Sequence, residues 1–143
     1  MNGFLQLSQR LQNLNLIQIL EDVLDSMHGK IVILIQEQLA EGRKGYDSLL
    51  PKYRPFTIRK KLEENSIIMG ERIALIDEGD FWRGMFAVVE GGSIFIDSTD
   101  WKSEMLIDRY GEEIFQMSSE SLKSIVSEVF PEFKKKVHDY ING

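Results

Sequence analysis

Asp77, Glu78, Asp80, Asp97 and Asp100 crowd into the stretch Ile73 to Asp100, which reads IALIDEGDFWRGMFAVVEGGSIFIDSTD. Carboxylates gathered at strand ends can hold Mg²⁺ or Ca²⁺, and such a site would make a metal-dependent hydrolase or nuclease working through Asp77, Asp80, Asp97 and Asp100. The spacings DEGD and DSTD match no calcium loop. Turns also collect Asp, Ser and Gly for conformational reasons, because Asp tolerates turn geometry and hydrogen-bonds its own backbone. Turn chemistry is the expected role of these carboxylates.

The only imidazoles are His28 and His138, and no nucleophile-elbow motif accompanies them. His28 beside Gly29 reads as a helix break, and His138 as a cation complementing a helix C-terminus. Gly91-Gly92 lacks the Lys-Ser/Thr of a phosphate-binding loop. The absence of cysteine excludes disulfides, zinc-thiolate sites, iron–sulfur clusters and a cysteine nucleophile.

Charge is segregated along the chain. The net charge is -6, which argues against a dedicated nucleic-acid binder. Yet between Arg43 and Lys61 stand Arg43, Lys44, Lys52, Arg54, Arg59, Lys60 and Lys61 against Asp47 alone. That segment could meet an acidic partner or a phosphate backbone while the body repels both. Tyr46 and Tyr53, interleaved with the cations, are candidates for stacking on single strands. The plain alternative is a solvated helix face.

The elements that would position these groups can be read in order. Leu7, Leu11, Leu14, Ile17, Leu20, Leu24 and Met27 fall at steps of three and four and predict one amphipathic, core-facing helix, with Ser8 near its start as a cap. IVILI, Ile31 to Ile35, would pass for a buried strand, but its continuation to Gly42 predicts a second helix or a continuation past a kink. A loop carrying Tyr46, Pro51, Tyr53 and Pro55 leads to a short basic helix capped by Thr57.

Ile73 to Asp77 reads as a strand followed by the turn Glu78-Gly79-Asp80. Met85 to Glu90 and Ser93 to Asp97 flank Gly91-Gly92, the two-residue connection of a tight hairpin. In that register Val89 faces Ile94, Val88 faces Phe95 and Ala87 faces Ile96. One face then carries Ala87, Val89, Ile94 and Ile96, the other Phe86, Val88 and Phe95. A hairpin apolar on both faces must be covered twice, by helices of the same chain or by a neighbouring subunit. Trp101 to Tyr110 fits a helix closed by Gly111, Ser118 and Ser119 open another, and Pro131 suits the first turn of a last one. The order predicts an α+β fold in one domain: a long N-terminal helix or helix pair, a small antiparallel sheet with the Gly91-Gly92 hairpin, and C-terminal helices. The longest apolar run, Ile31 to Ile35, is far short of a membrane span, and the start MNGFLQLSQRLQNLNL does not read as a signal peptide.

Three runs together, GYDSLLPKYRPFTIRKK, the Ile73 to Asp100 stretch and LIDRYGEEIFQMSSESL, resemble the small virion-morphogenesis and tail-completion (neck) proteins of tailed bacteriophages. The likeness rests on Gly45, Tyr46 and the Thr57-x-x-Lys60 pattern, on the turn Glu78-Gly79-Asp80-Phe81 before the hairpin, on Tyr110-Gly111, and on Ile114 to Ser118 before a closing helix. Glu78 stands where Thr is usual and Gln116 where Gly is usual. The resemblance implies a non-catalytic structural subunit without cofactor. It would be assembled in the bacterial host cytoplasm and work in the virion as a homo-oligomeric ring or in several copies at the head–tail junction or tail. Its partners would be other neck, portal or tail proteins, with non-specific DNA contact in a channel and no membrane. Expected subunit or packing residues are Phe86, Val88, Phe95 and Ile96; expected docking charges are Arg43, Lys44, Arg54, Arg59 and Lys60. A metal-dependent hydrolase or a small phage-encoded adaptor are the alternatives.

Overall fold

A computed structural model describes residues 2–64, 70–76 and 79–142. Its elements are α1 (Asn2–Gln12), α2 (Leu16–Ser26), α3 (His28–Ala40), α4 (Pro55–Glu63), α5 (Asp80–Arg83), β1 (Met85–Glu90), β2 (Ser93–Ser98), α6 (Ser103–Tyr110) and α7 (Ser119–Asn142), with 3-10 turns at Gly45–Asp47 and Glu112–Phe115. The fold is α+β: helices around a two-stranded antiparallel sheet.

The chain organises around α3. Ile31, Ile35 and Leu39 lie one turn apart on the same helical face and are fully buried. Ile31 joins Val23, Leu24, Ile125 and Val129 in one apolar cluster. Ile35 and Leu39 join Leu50, Leu75, Phe81, Met85, Ile114 and Phe115 in another. Ile96 and Met117 pack against both clusters, so the core is continuous. The apolar run IVILI is therefore helical, stabilised because every fourth residue reaches the core. Gly42, at φ +72°, ends this helix in the left-handed conformation that favours glycine.

The N-terminal stripe does not form one core-facing helix. The chain breaks after Gln12, and Asn15 caps α2 by accepting the Gln18 N–H at 3.1 Å. Leu20, Leu24 and Met27 reach the core, whereas Leu7, Leu11 and Ile17 stay exposed. Asn13 and Asn15 flank the break and offer the backbone alternative hydrogen bonds.

Three other expectations change in detail, and one lies outside the described residues. The described part of the expected strand from Ile73 is not a strand: Leu75 takes φ +59°, outside the extended region, and Ile73 N–H bonds Pro51 O at 2.9 Å, tying the segment to the basic loop. Asp77 and Glu78, the end of that strand and the start of its turn, lie outside the described residues. The basic helix starts at Pro55 rather than behind Thr57, since proline's fixed φ suits the first helical position. Pro131 does not start a new helix but sits inside α7. Pro131 and Ser127, whose carbonyl loses its helical donor there, are both exposed, so water can satisfy the released group.

Candidate functional site

The hairpin pairs as its alternation requires: Ala87 opposite Ile96, Val88 opposite Phe95 and Val89 opposite Ile94. Gly91 and Gly92 both take positive φ, at +60° and +76°, the pair of values a two-residue turn needs. Ala87, Val89, Ile94 and Ile96 face inward onto the cluster built from α2, α3 and α7. Ile96 is thus a packing residue rather than part of the outward surface. Phe86, Val88 and Phe95 face outward and remain 41%, 46% and 60% exposed. Among the described residues only one side of the sheet is covered and no third strand flanks the pair, so among them each strand also has a free edge.

The candidate carboxylates are occupied with local structure. Asp97 Oδ1 accepts the Ser103 hydroxyl at 2.6 Å and the Ser98 N–H at 2.7 Å. Asp100 Oδ1 accepts the Lys102 N–H at 2.9 Å; its buried Oδ2 lies 3.6 Å from Lys102 Nζ. Asp80 pairs with Arg83 one turn along α5. Among the described residues no three His, Asp or Glu side chains converge as a metal site would require. His28 Nδ1 lies 2.7 Å from Asp25 O, where α2 meets α3, and His138 lies beside Asp139 on the surface of α7. Both serve helix ends or surface, and neither bonds a serine hydroxyl among the described residues.

The cations of the basic segment differ in their partners. Arg43 is spent on Glu41 at 3.4 Å and Glu120 at 3.0 Å. Lys44 donates to Tyr110 O at 2.7 Å, closing the C-terminus of α6. Arg54, Arg59 and Lys60 are exposed and form no ion pair among the described residues. The two tyrosines cannot make a stacking platform. Tyr53 is buried beneath Lys61, whose Nζ lies 5.5 Å from the ring centroid, while Tyr46 is 78% exposed on a separate turn.

A cleft of about 830 Å³ opens between the loop before α4, α4 itself and α6. Lys44, Lys52, Arg54, Lys61, Lys102 and Arg109 line it, over walls that include Ile73, Leu75, Phe81, Met105 and Leu106. Lys102 and Arg109 were not legible as part of this site, since they lie some 40 residues beyond the basic segment in sequence. Their only signal was their position on one face of a short helix.

Gln38 was also missed. It is 3% exposed, and its amide serves both ends of the α3–α7 junction: Nε2 donates to Gln116 O at 2.6 Å, and Oε1 accepts Ser118 N–H at 2.7 Å and the Ser121 hydroxyl at 3.0 Å. Beside it, Asp47 accepts the Ser119 N–H at 2.9 Å and its hydroxyl at 2.6 Å. These hydrogen bonds hold the Asp47 carboxyl below its ordinary value of 3.8.

No protein-family model, curated protein or solved structure matches the chain. No described helix is long and apolar enough to cross a membrane.

Proposed function

We propose that this chain is a non-catalytic structural subunit of a tailed-bacteriophage virion, working in several copies at the head–tail junction or tail. The observation that carries the reading is the outward sheet face of Phe86, Val88 and Phe95, exposed in a sheet whose other face is already packed. Contiguous exposed aromatic surface next to free strand edges is what a subunit interface looks like before assembly. The outward apolar residues of the N-terminal helices, Leu11, Leu16 and Ile17, add a second surface of the same kind. The resemblance of the loop and hairpin runs to tail-completion and neck proteins supplies the setting. Neighbouring copies, and portal, neck or tail proteins, are the proposed partners.

The mechanism is burial. Each copy would remove its outward aromatics from water against the next, at about 25 cal/mol per Å² of apolar surface, and a heterologous contact that closes gives a ring. Sedimentation velocity and negative-stain imaging of the purified chain, with mass spectrometry of purified virions, test the proposal. The expected result is concentration-dependent assembly and the presence of the chain in virions. A strict monomer that is absent from virion particles would overturn it.

A further inference from the structure

We infer that the cleft beside α6 is a docking site for an acidic, extended peptide segment with one large apolar side chain. Three observations converge on this occupant.

The first is shape. Lys102, Met105, Leu106, Arg109 and Tyr110 all line the cleft, at the three- and four-residue steps that place them on one face of α6. Lys102 and Arg109 are seven positions apart, so at 1.5 Å per residue their backbones stand about 10 Å apart along the helix axis. An extended chain advances about 10 Å in three residues. A peptide lying along α6 therefore presents carboxylates to both cations and an apolar side chain to Met105 and Leu106 between them.

The second is charge. The chain is acidic overall, yet six cations line this cleft and no carboxylate does among the described lining residues. Lys44 is held by Tyr110 O, Lys52 lies 3.8 Å from Glu71, and Lys102 lies 3.6 Å from Asp100. Arg54 and Arg109 are exposed and have no carboxylate partner among the described residues. Cations gathered over low-dielectric walls focus a positive potential on the space between them.

The third is the floor. Met105 is half exposed, and Ile73 and Leu106 are half-buried, over the buried Leu75 and Phe81. A nucleic-acid backbone would leave the apolar surface of Ile73, Met105 and Leu106 uncovered. The aromatic rings a base would stack on are already engaged: Lys61 lies over Tyr53, and the Arg109 guanidinium lies 5.5 Å from the Tyr110 ring centroid. A volume of about 830 Å³ accommodates an aromatic side chain with its flanking residues.

The inference rests on the proposed assembly role only for the source of the peptide, a neighbouring protein; the chemistry of the cleft stands without it. The test is fluorescence anisotropy of the full chain with a dye-labelled synthetic peptide bearing a central phenylalanine flanked by aspartates. Binding tighter than about 1 mM is expected, weakening as salt is raised. Replacing the phenylalanine by serine should weaken it about tenfold or more, matching the lost apolar burial. The double variant Arg54→Glu/Arg109→Glu should weaken it by about tenfold or more while lowering the melting temperature by no more than about 5 °C, since both side chains are exposed and the folded chain loses only the Arg109–Tyr110 contact and a helix-end charge. No binding at millimolar peptide, equal binding of the serine peptide, or tighter binding by a single-stranded oligonucleotide would each overturn the assignment. Those results leave self-association through the sheet face untouched, and a monomeric chain would leave the peptide result untouched.

Discussion

Gln38 and Ser118 are 80 residues apart in sequence and joined by a 2.7 Å hydrogen bond, the Ser118 backbone N–H donating to Gln38 Oε1 inside the protein. Ser118 in turn caps α7: its hydroxyl oxygen accepts the Ser121 N–H at 3.2 Å. One amide thus sets where the longest helix begins relative to α3, the helix on which both apolar clusters are built.

Gln38→Ala removes a donor and an acceptor from this junction and leaves the Ser118 N–H and Gln116 carbonyl without partners. The buried Ser118 N–H left as an orphan costs about 1–3 kcal/mol, whereas Gln116 is exposed and water can reach its carbonyl, so a loss of about 2 kcal/mol is expected. For a chain of this length that lowers the melting temperature by about 4–8 °C. Gln38→Leu keeps most of the volume and should lose nearly as much. A Leu variant as stable as the parent chain in urea unfolding would show that packing, not the polar junction, holds α3 to α7.

Gln38 also shows why part of the fold could not be read from the sequence. A glutamine late in an amphipathic helix has the composition of a solvent face, and only its distant partners make it a core residue. The hairpin, by contrast, was legible residue by residue, because a two-glycine turn and strict alternation determine register locally. The failures lie between these extremes. The three- and four-residue steps from Leu7 to Met27 were correct in period, but the period cannot say which turns find something to pack on, and the Asn-Leu-Asn break was hidden inside it. Of the expected docking charges, Arg43 pairs with Glu120 and Lys44 with the Tyr110 carbonyl, partners that only the fold brings near. The cleft draws cations from the basic segment and from α6, a combination no single stretch displays.

The Asp47–Ser119 clamp should appear in the pH dependence of stability. The folded-state pKa of Asp47 is lowered, first by the Ser119 hydroxyl and then by the Ser119 N–H. A lowered folded value means the stabilisation is present above the unfolded pKa and is lost as pH falls through the folded one. Urea unfolding followed downward through 3.8 should therefore contain a component that is reduced in Ser119→Ala, which loses the hydroxyl but keeps the N–H. In Asp47→Asn the amide oxygen can still accept the Ser119 N–H but does not titrate, so that component should vanish there. Identical acid-limb profiles for all three proteins would remove Asp47 from the account.

Two glycines on neighbouring elements should respond to alanine in opposite directions. A Cβ on Gly45 would stand 2.2 Å from Gln116 Cβ and 2.9 Å from its carbonyl carbon, so loop and backbone must separate. Gly45→Ala is expected to destabilise by about 1–3 kcal/mol, as overpacking does. Gly29 lies in the first turn of α3 with nothing within 4 Å of a new Cβ. Gly29→Ala should stabilise by about 0.5 kcal/mol through helix propensity and a less flexible unfolded chain. Thermal unfolding of both variants checks the pair, and a stabilising Gly45→Ala would contradict the close approach at Gln116.

Adjacent residues of β2 separate folding from assembly. Ile96 points into the core and touches both apolar clusters, so Ile96→Ala should cost about 2 kcal/mol or more. Phe95 points outward at 60% exposure and contributes to the folded chain chiefly through its cross-strand neighbour Val88, worth about 0.2–1 kcal/mol. Phe95→Ser is therefore expected to melt within about 3 °C of the parent chain while shifting sedimentation toward the monomer. If the surface serves only to fold this chain, the order reverses: Phe95→Ser lowers the melting temperature as much as Ile96→Ala and leaves the sedimentation profile where it was. The period-two alternation of a single strand makes that comparison clean, because the two side chains share one backbone and differ only in the face they occupy.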